Sequence, residues 1–354
     1  MAVRHRYLWA VPAVALAVAL GGCTGRNQPL SPPDVAVPAG AVLNPTVGAQ
    51  DELHDCDPRR SLQPSSTPPD WLLGQKHLVV GVDQADVLMS SWNPGENRFE
   101  GFNIDLVTAI VKEIWPGDDP KDHLRFTVVP GGAGSFGYLS GGSADAPHID
   151  LVATSLTATC TRAKAVTFSE DYLDSGQTVL VRKKADGSPE FAGLEEMGGR
   201  RLCAGQGTTS IEYLSQYRTR GGGSVLLVAA PQVIDCLVLL REHQVDGVST
   251  DHQILLGFAR GAPDLTLVTE APYGNASKCE HHNASPCTWF TDEPHGFAAA
   301  RSADGEALIR YVNHVLDEMR ADGRWQQFHD AWLSGHPDAG PPSPSPCPSS
   351  WPCP

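Results

Sequence analysis

Arg162 follows a run of hydroxyl side chains (Thr154, Ser155, Thr157, Thr159, Thr161) at the end of the apolar stretch Ile149-Asp150-Leu151-Val152. A guanidinium is a planar fork of donors that meets a carboxylate with two parallel hydrogen bonds. A turn leaving a buried strand adds hydroxyls and free backbone N–H groups, and a helix N-terminus beyond it favours negative charge. Together these groups describe a carboxylate receptor, against the plainer alternative of a strand–turn–helix with a surface arginine. A second loop of this kind, Gly205-Gln206-Gly207-Thr208-Thr209-Ser210, follows a short apolar run at 201–204 and precedes a helical pattern from Ile211. It lacks the Gly-Lys-Ser/Thr ending of a nucleotide-binding loop. Two acids close apolar runs elsewhere: Asp83 after 76–82, and Asp251 after Val245-Asp246-Gly247-Val248-Ser249-Thr250.

Other motifs argue against competing chemistries. Gly132-Ala133-Gly134-Ser135-Phe136-Gly137 has dinucleotide-loop spacing after a strand, but Ser140, Gly141, Gly142 and Pro147 follow in place of a helical pattern. G-x-S-x-G and H-E-x-x-H motifs are absent, and no pair of carboxylates has convincing acid/base spacing. The chain is therefore expected to be a binding protein and not an enzyme, with no cofactor and no metal. Cys279, His281, His282 and Cys287 have zinc-compatible spacing, which an oxidising compartment disfavours.

The elements that must position these residues alternate. A strand is predicted at 76–82 and a helix from Phe102 to Ile114, with Leu106, Ile110 and Ile114 on one face and Asp105 in the first turn. Strands follow at 124–129, 149–154 and 178–181. Past Lys183-Lys184 the pattern restarts with strands at 201–204 and 225–228, a helix at 234–240 and a strand at 245–251. A return strand is predicted at 294–300, then a long helical region at 308–328 interrupted at Gly323. Strand, helix, strand in alternation is the mark of an α/β fold with parallel sheets.

A formal charge of −15 with no Lys/Arg cluster excludes a nucleic-acid surface. Arg4, His5 and Arg6 precede an apolar stretch at 7–20 too short to span a bilayer comfortably, and Leu20-Gly21-Gly22-Cys23 resembles a lipobox. Residues 1–22 are then a signal peptide and Cys23 the lipidated N-terminus, an ordinary secretory cleavage being the alternative. Removing Cys23 from nine cysteines leaves an even set, which export reads as disulfides. Cys279/Cys287 and Cys347/Cys353 are close enough for local loops, leaving Cys203/Cys236 and Cys56/Cys160 by elimination among the connectivities possible. Residues 23–70 read as a disordered tether and 336–354 as a Pro/Ser-rich tail.

In their order, the motifs Gly101-Phe102-Asn103-Ile104-Asp105-Leu106, Asp150-Leu151-Val152 with Thr157 to Arg162, Phe168-Ser169-Glu170-Asp171-Tyr172, Gly207 to Ser210, Val245 to Asp251, and Asp322-Gly323-Arg324-Trp325 with Trp332-Leu333 resemble a family. It is the family 3 extracellular solute-binding proteins, the polar amino-acid receptors of ABC importers, and the cysteine pattern is most similar to actinobacterial glutamate- or glutamine-binding lipoproteins. The resemblance implies a two-lobed, periplasmic-binding-protein-like fold (type II) with two hinge strands. Lobe one is placed at 71–180 and 296–335, and lobe two at 181–295. It implies that Arg162 grips the ligand α-carboxylate with Thr157, that Thr209 and Ser210 complete that cage, and that Asp251 faces the α-ammonium from the other lobe. Ser155 stands where a backbone carbonyl meets the ammonium, and Asp83 lines the pocket. Asp86 departs from the aromatic or amide usual there, which speaks against an acidic side chain on the ligand. The implied partners are a free polar amino acid, glutamate or glutamine first, and an importer permease. The protein would be a monomer, lipid-anchored on the outer face of the cell membrane. The alternatives are a sensor lipoprotein signalling through a membrane partner, and a dehydratase-like enzyme with Asp86 or Asp83 as its carboxylate.

Overall fold

A computed structural model describes residues 40–46, 61–139, 141, 147–268 and 291–334. In chain order the first half forms β1 (Val42–Leu43), α1 (Asp70–Gln75), β2 (Leu78–Val82), β3 (Ser91–Asn93), β4 (Arg98–Glu100), α2 (Phe102–Ile114), α3 (Pro120–His123), β5 (Leu124–Val128), α4 (Phe136–Leu139), β6 (Leu151–Val152) and β7 (Val166–Phe168). The second forms β8 (Gln177–Arg182), β9 (Arg201–Gly205), α5 (Thr209–Gln216), β10 (Leu226–Ala230), α6 (Val233–Arg241), β11 (Gly247–Asp251), α7 (His252–Arg260), β12 (Leu265–Val268), β13 (Ala298–Ala300), α8 (Ala303–Asp322) and α9 (Arg324–Trp332).

Two sheets divide the chain into two α/β lobes. The first has the order β5-β2-β6-β13-β7, the second β1-β10-β9-β11-β8-β12. Strands that grow within a lobe run parallel: β2 with β5 and β6, β9 with β10 and β11. Strands that bring the chain in from the other lobe run against them, β13 against β6 and β7, and β8 against β11 and β12. Between the sheets the two crossing segments pair with each other: Tyr172 N–H donates to His295 O, His295 N–H to Leu173 O, and Glu293 N–H to Ser175 O, all at 2.8–2.9 Å.

The apolar patterns explain the packing. In α2, Phe102, Leu106, Val107, Ile110, Val111 and Ile114 are all buried and meet α8 and α9 through Leu308, Val312, Leu316 and Trp325. Asp105, in the first turn of α2, accepts the Trp332 indole N–H at 2.7 Å and ties α2 to α9. Gly323, at φ 85, separates α8 from α9 where the helical pattern is interrupted.

Three expectations are corrected. The strand at 178–181, placed in lobe one, is β8 and hydrogen-bonds within the second sheet, so the crossing occurs before Gln177. Part of the supposed tether is folded: Val42–Leu43 pairs antiparallel with β10, and Ser61 Oγ donates to Phe168 O at 2.6 Å. Backbone hydrogen bonds at a sheet edge need no apolar periodicity, so the sequence carries no sign of them. The run at 149–154 is strand only at Leu151–Val152, because Ser155 turns left-handed three residues later.

Cys203 and Cys236 form a disulfide that joins β9 to α6. Cys160 is also disulfide-bonded, to a partner outside the described residues. Cys23, Cys56, Cys279, Cys287, Cys347 and Cys353, the signal peptide and the Pro/Ser-rich tail lie outside the described residues as well.

Candidate functional site

Arg162 lies in a short 3-10 turn, Arg162–Lys164, in place of the longer helix expected after the hydroxyl run. Its guanidinium is 7% exposed, and Nη1 donates to Thr157 O at 2.8 Å. Nη2 donates to Gly207 O at 3.2 Å, reaching from the first lobe to the hydroxyl loop of the second. Burial lowers its pKa, which the charges of Glu212, Glu293 and Asp251 oppose. A guanidinium stays charged under such conditions.

Gly207 O also accepts the Ala133 N–H at 3.2 Å. The Gly132–Gly137 stretch, with its dinucleotide-like spacing, is a 3-10 turn followed by α4. Its role is steric: Gly132 has φ 59, and a Cβ there would lie 2.5 Å from Gly207 O. Bare backbone on both sides lets the lobes meet at this point.

The residue that sequence reasoning missed is Glu293. Its carboxylate is buried and accepts from the Thr157 hydroxyl (3.1 Å), the Thr209 hydroxyl (2.8 Å), Gln177 Nε2 (2.9 Å) and the Thr291 hydroxyl (2.8 Å). Thr157 belongs to the first lobe, Thr209 opens α5 in the second, and Gln177 and Glu293 sit on the two crossing segments. Burial, then the neighbouring Asp251 carboxylate, pushes Glu293 up to about 7, while the Gln177 and Thr209 hydrogen bonds pull it down. The only hint in the sequence was an acid just ahead of the return strand, in Glu293-Pro294-His295-Gly296.

Asp251 ends β11, and its Oδ2 lies 3.0 Å from His295 Nε2. Burial lowers His295 to about 4, so at neutral pH the ring is uncharged. The network assigns its proton to Nε2, facing Asp251, with Gln253 Nε2 3.3 Å from Nδ1. Burial also raises Asp251, which a hydrogen bond from Glu293 and the charge of Arg162 counteract. Protonated Glu293 therefore bonds Asp251, and ionised Glu293 repels it.

Across the lobe boundary stand Asp83 and Asp86, in the loop after β2. Asp83 Oδ1 accepts the Ala85 N–H at 2.9 Å, and burial raises its pKa. Asp86 is 3% exposed and its Oδ2 accepts the Ser155 hydroxyl at 2.6 Å. Ser155 holds φ 52, a left-handed conformation unusual for a residue with a Cβ. Thr209 belongs to the cluster through Glu293, whereas Ser210 turns toward Thr250, 3.5 Å between hydroxyl oxygens. Arg162, Thr157, Thr209 and Asp251, with Ser155, Asp86 and Asp83, are thus gathered where the lobes meet. Cavities of about 530 and 670 Å³ lie elsewhere and involve Asp105 and Asp150 but none of the site residues.

Chemically, the cluster offers a buried guanidinium and two hydroxyls to an anion, and carboxylates from both lobes to a cation.

Comparisons with known proteins give the family and the fold. Residues 78–335 match the profile of the bacterial extracellular solute-binding proteins, family 3. The chain is 28% identical to the ABC transporter glutamine-binding protein GlnH of Bacillus subtilis (strain 168), over 73% of this chain and 82% of that protein. It is 25% identical to the glutamate-binding protein GluB of Corynebacterium efficiens, over 71% of this chain and 77% of that one. Among solved structures, an ancestral arginine-binding protein bound to arginine superposes with a TM-score of 0.57 at 23% identity, covering 73% of this chain and 98% of that one. That likeness shows the two-lobed fold.

Proposed function

Since the chain belongs to the bacterial extracellular solute-binding proteins of family 3, we propose that it captures a free polar α-amino acid between its lobes and hands it to the permease of an ABC importer. The observation that carries this reading is the meeting of Arg162 and Thr157 with Thr209 and Asp251 across the lobe boundary, with Arg162 Nη2 bonded to Gly207 O. An α-amino acid presents one carboxylate and one ammonium, and burying each requires a partner. Arg162 on one lobe and Asp251 on the other supply them, so the ligand binds the closed arrangement more tightly than an open one and shifts the population toward it. Such a receptor needs no nucleophile.

The names of the relatives carry glutamine, arginine and glutamate as ligands. The likeness of Leu20-Gly21-Gly22-Cys23 to a lipobox supports an anchor of acyl chains at Cys23, with the receptor on the outer face of the membrane.

The test is calorimetric titration of the ligand-stripped protein against the twenty amino acids, together with Arg162→Ala, Arg162→Lys and Asp251→Asn. Loss of Arg162 strands a buried carboxylate, at roughly 3–5 kcal/mol, or about two to three and a half decades of affinity. Lysine restores little of it, because a point charge does not reproduce the fork. Absence of binding by every amino acid, or unchanged affinity in Arg162→Ala, overturns the receptor reading. Release of Cys23→Ala from the membrane fraction tests the anchor.

A further inference from the structure

Asp86 is built into the site in a way that a neutral zwitterion leaves unanswered. One oxygen, Oδ2, is taken by the Ser155 hydroxyl at 2.6 Å. The other, Oδ1, is buried and has no hydrogen-bond partner among the described residues. The side chain is 3% exposed, so water is not an easy substitute. Ser155 aims its hydroxyl from a left-handed backbone, and Asn103 Nδ2 steadies the same turn by donating to Ala153 O at 3.3 Å. A conformation of this kind persists only where its surroundings over-determine it. Asp86 is therefore held in place, with one free acceptor.

The charges around it point the same way. Asp83 and Asp251 both lie near enough to raise Asp86 further above its burial-driven shift, and the Tyr172 hydroxyl, buried nearby, carries no compensating charge. Arg162 offers its positive charge to Glu293 and Asp251, and His295 is neutral at ordinary pH. A bound zwitterion adds a carboxylate for Arg162 and an ammonium for Asp251, and leaves Asp86 Oδ1 as it was. A ligand with a side-chain carboxylate adds another acid to a buried set of acids that already oppose one another's ionisation. An inorganic cation is not an alternative here, because among the described residues no three of these acids are grouped to chelate a metal.

We propose that Asp86, aimed by Ser155, determines side-chain specificity, and that the ligand is an α-amino acid whose side chain ends in a cationic donor, a guanidinium or a primary ammonium. This rests on the receptor reading above and goes beyond it. It ranks cationic amino acids ahead of glutamine, which can offer Oδ1 a neutral amide donor, and puts glutamate last. A charged donor is favoured because it supports the ionised form of Asp86 that burial, Asp83 and Asp251 oppose, and hydrogen bonds between ionised partners are the stronger ones.

The experiment is calorimetry of the ligand-stripped full chain with L-arginine, L-lysine, L-glutamine and L-glutamate, on the wild type, Asp86→Asn and Ser155→Gly. Wild type binds arginine or lysine at least about ten-fold tighter than glutamine, and glutamate weakest. Asp86→Asn, which keeps the shape, lowers affinity for the cationic ligand by about ten- to a hundred-fold and lowers glutamine affinity clearly less. Ser155→Gly suits the left-handed backbone and removes only the aiming hydroxyl, so it narrows the preference for the cationic ligand while the melting temperature holds. Equal losses for arginine and glutamine in Asp86→Asn mean that Asp86 serves the shared α-ammonium, and overturn the proposal. A wild type that prefers glutamate or glutamine overturns it too, leaving the receptor reading intact. No binding of any amino acid overturns both.

Discussion

Glu293 Oε2 lies 2.8 Å from the Thr209 hydroxyl, so a carboxylate on one crossing segment is bonded to the first residue of α5. The same oxygen accepts from Thr157 in the other lobe at 3.1 Å. Glu293 thus occupies donors that a ligand carboxylate beside Arg162 would also seek, and it adds a tie between the two lobes to those at Gly207 O. Its protonation state then bears on both stability and binding.

Glu293→Gln tests this. The folded carboxyl is raised from 4.5 to about 7, so between those pH values the native state holds a proton that the unfolded chain has released. By linkage, this group's contribution to stability is present at low pH and declines as pH rises toward 7. Removing the buried charge should make the variant more stable than wild type at pH 8, by about 1–3 kcal/mol. The difference should shrink by pH 5. Scanning calorimetry of both proteins at the two pH values checks it, and a pH-independent difference contradicts it.

His295 acts in the opposite direction. Its folded pKa is lowered from 6.5 to about 4, so below 6.5 the unfolded chain binds a proton that the native ring refuses. Stability supported by the neutral ring is complete above 6.5 and is lost as pH falls toward 4. In the overlap between 4.5 and 6.5 the two groups offset each other, so wild type is flatter there than Glu293→Gln. An NMR titration of the imidazole resonances measures the ring directly, and a midpoint near 6.5 would show that the ring is not buried against Asp251.

Gly132→Ala is expected to weaken binding more than folding. The added Cβ would sit 2.5 Å from Gly207 O, on a backbone at φ 59. The strain is about 1 kcal/mol, and relieving the contact separates the lobes at the point where Ala133 N–H meets Gly207 O. Affinity should fall about ten-fold or more. Gly74→Ala, where a Cβ meets nothing within 4 Å, is the control and should bind as wild type. Calorimetry decides the comparison, and small-angle scattering should show incomplete compaction with ligand in the Gly132 variant.

The disulfide between Cys203 and Cys236 spans 33 residues and anchors β9, the strand that delivers the Gly207 loop, to α6. The double variant Cys203→Ala/Cys236→Ala should lose about 2–4 kcal/mol of stability, with a smaller loss of affinity. Denaturant unfolding gives the first quantity and calorimetry the second. Unchanged stability would mean that the loop is closed by packing alone.

What the sequence determined by itself was local. Apolar runs ending in Asp83 and Asp251, the helical period of α2, and the hydroxyl run before Arg162 are patterns within a few residues of one another, and the backbone repeats of strand and helix translate them directly into elements. The family resemblance carried by the order of these motifs implied that Arg162, Thr157 and Asp251 would share a site. Tertiary structure decided everything that depends on pairing between distant segments. Val42–Leu43 is a strand only because β10 has an open edge, and β8 belongs to the second sheet only because β11 and β12 flank it. Glu293 is 136 residues from Thr157 and 84 from Thr209 in the chain. It enters the site because the crossing segments pair antiparallel and bring its carboxylate between the lobes. Asp86 and Ser155 are 69 residues apart, and the bond between them exists only because a left-handed turn after β6 meets the loop after β2. Burial then sets their charges, since the penalty on an ionised group comes from what surrounds it in space, and that surrounding is made of residues no local pattern in the chain brings together.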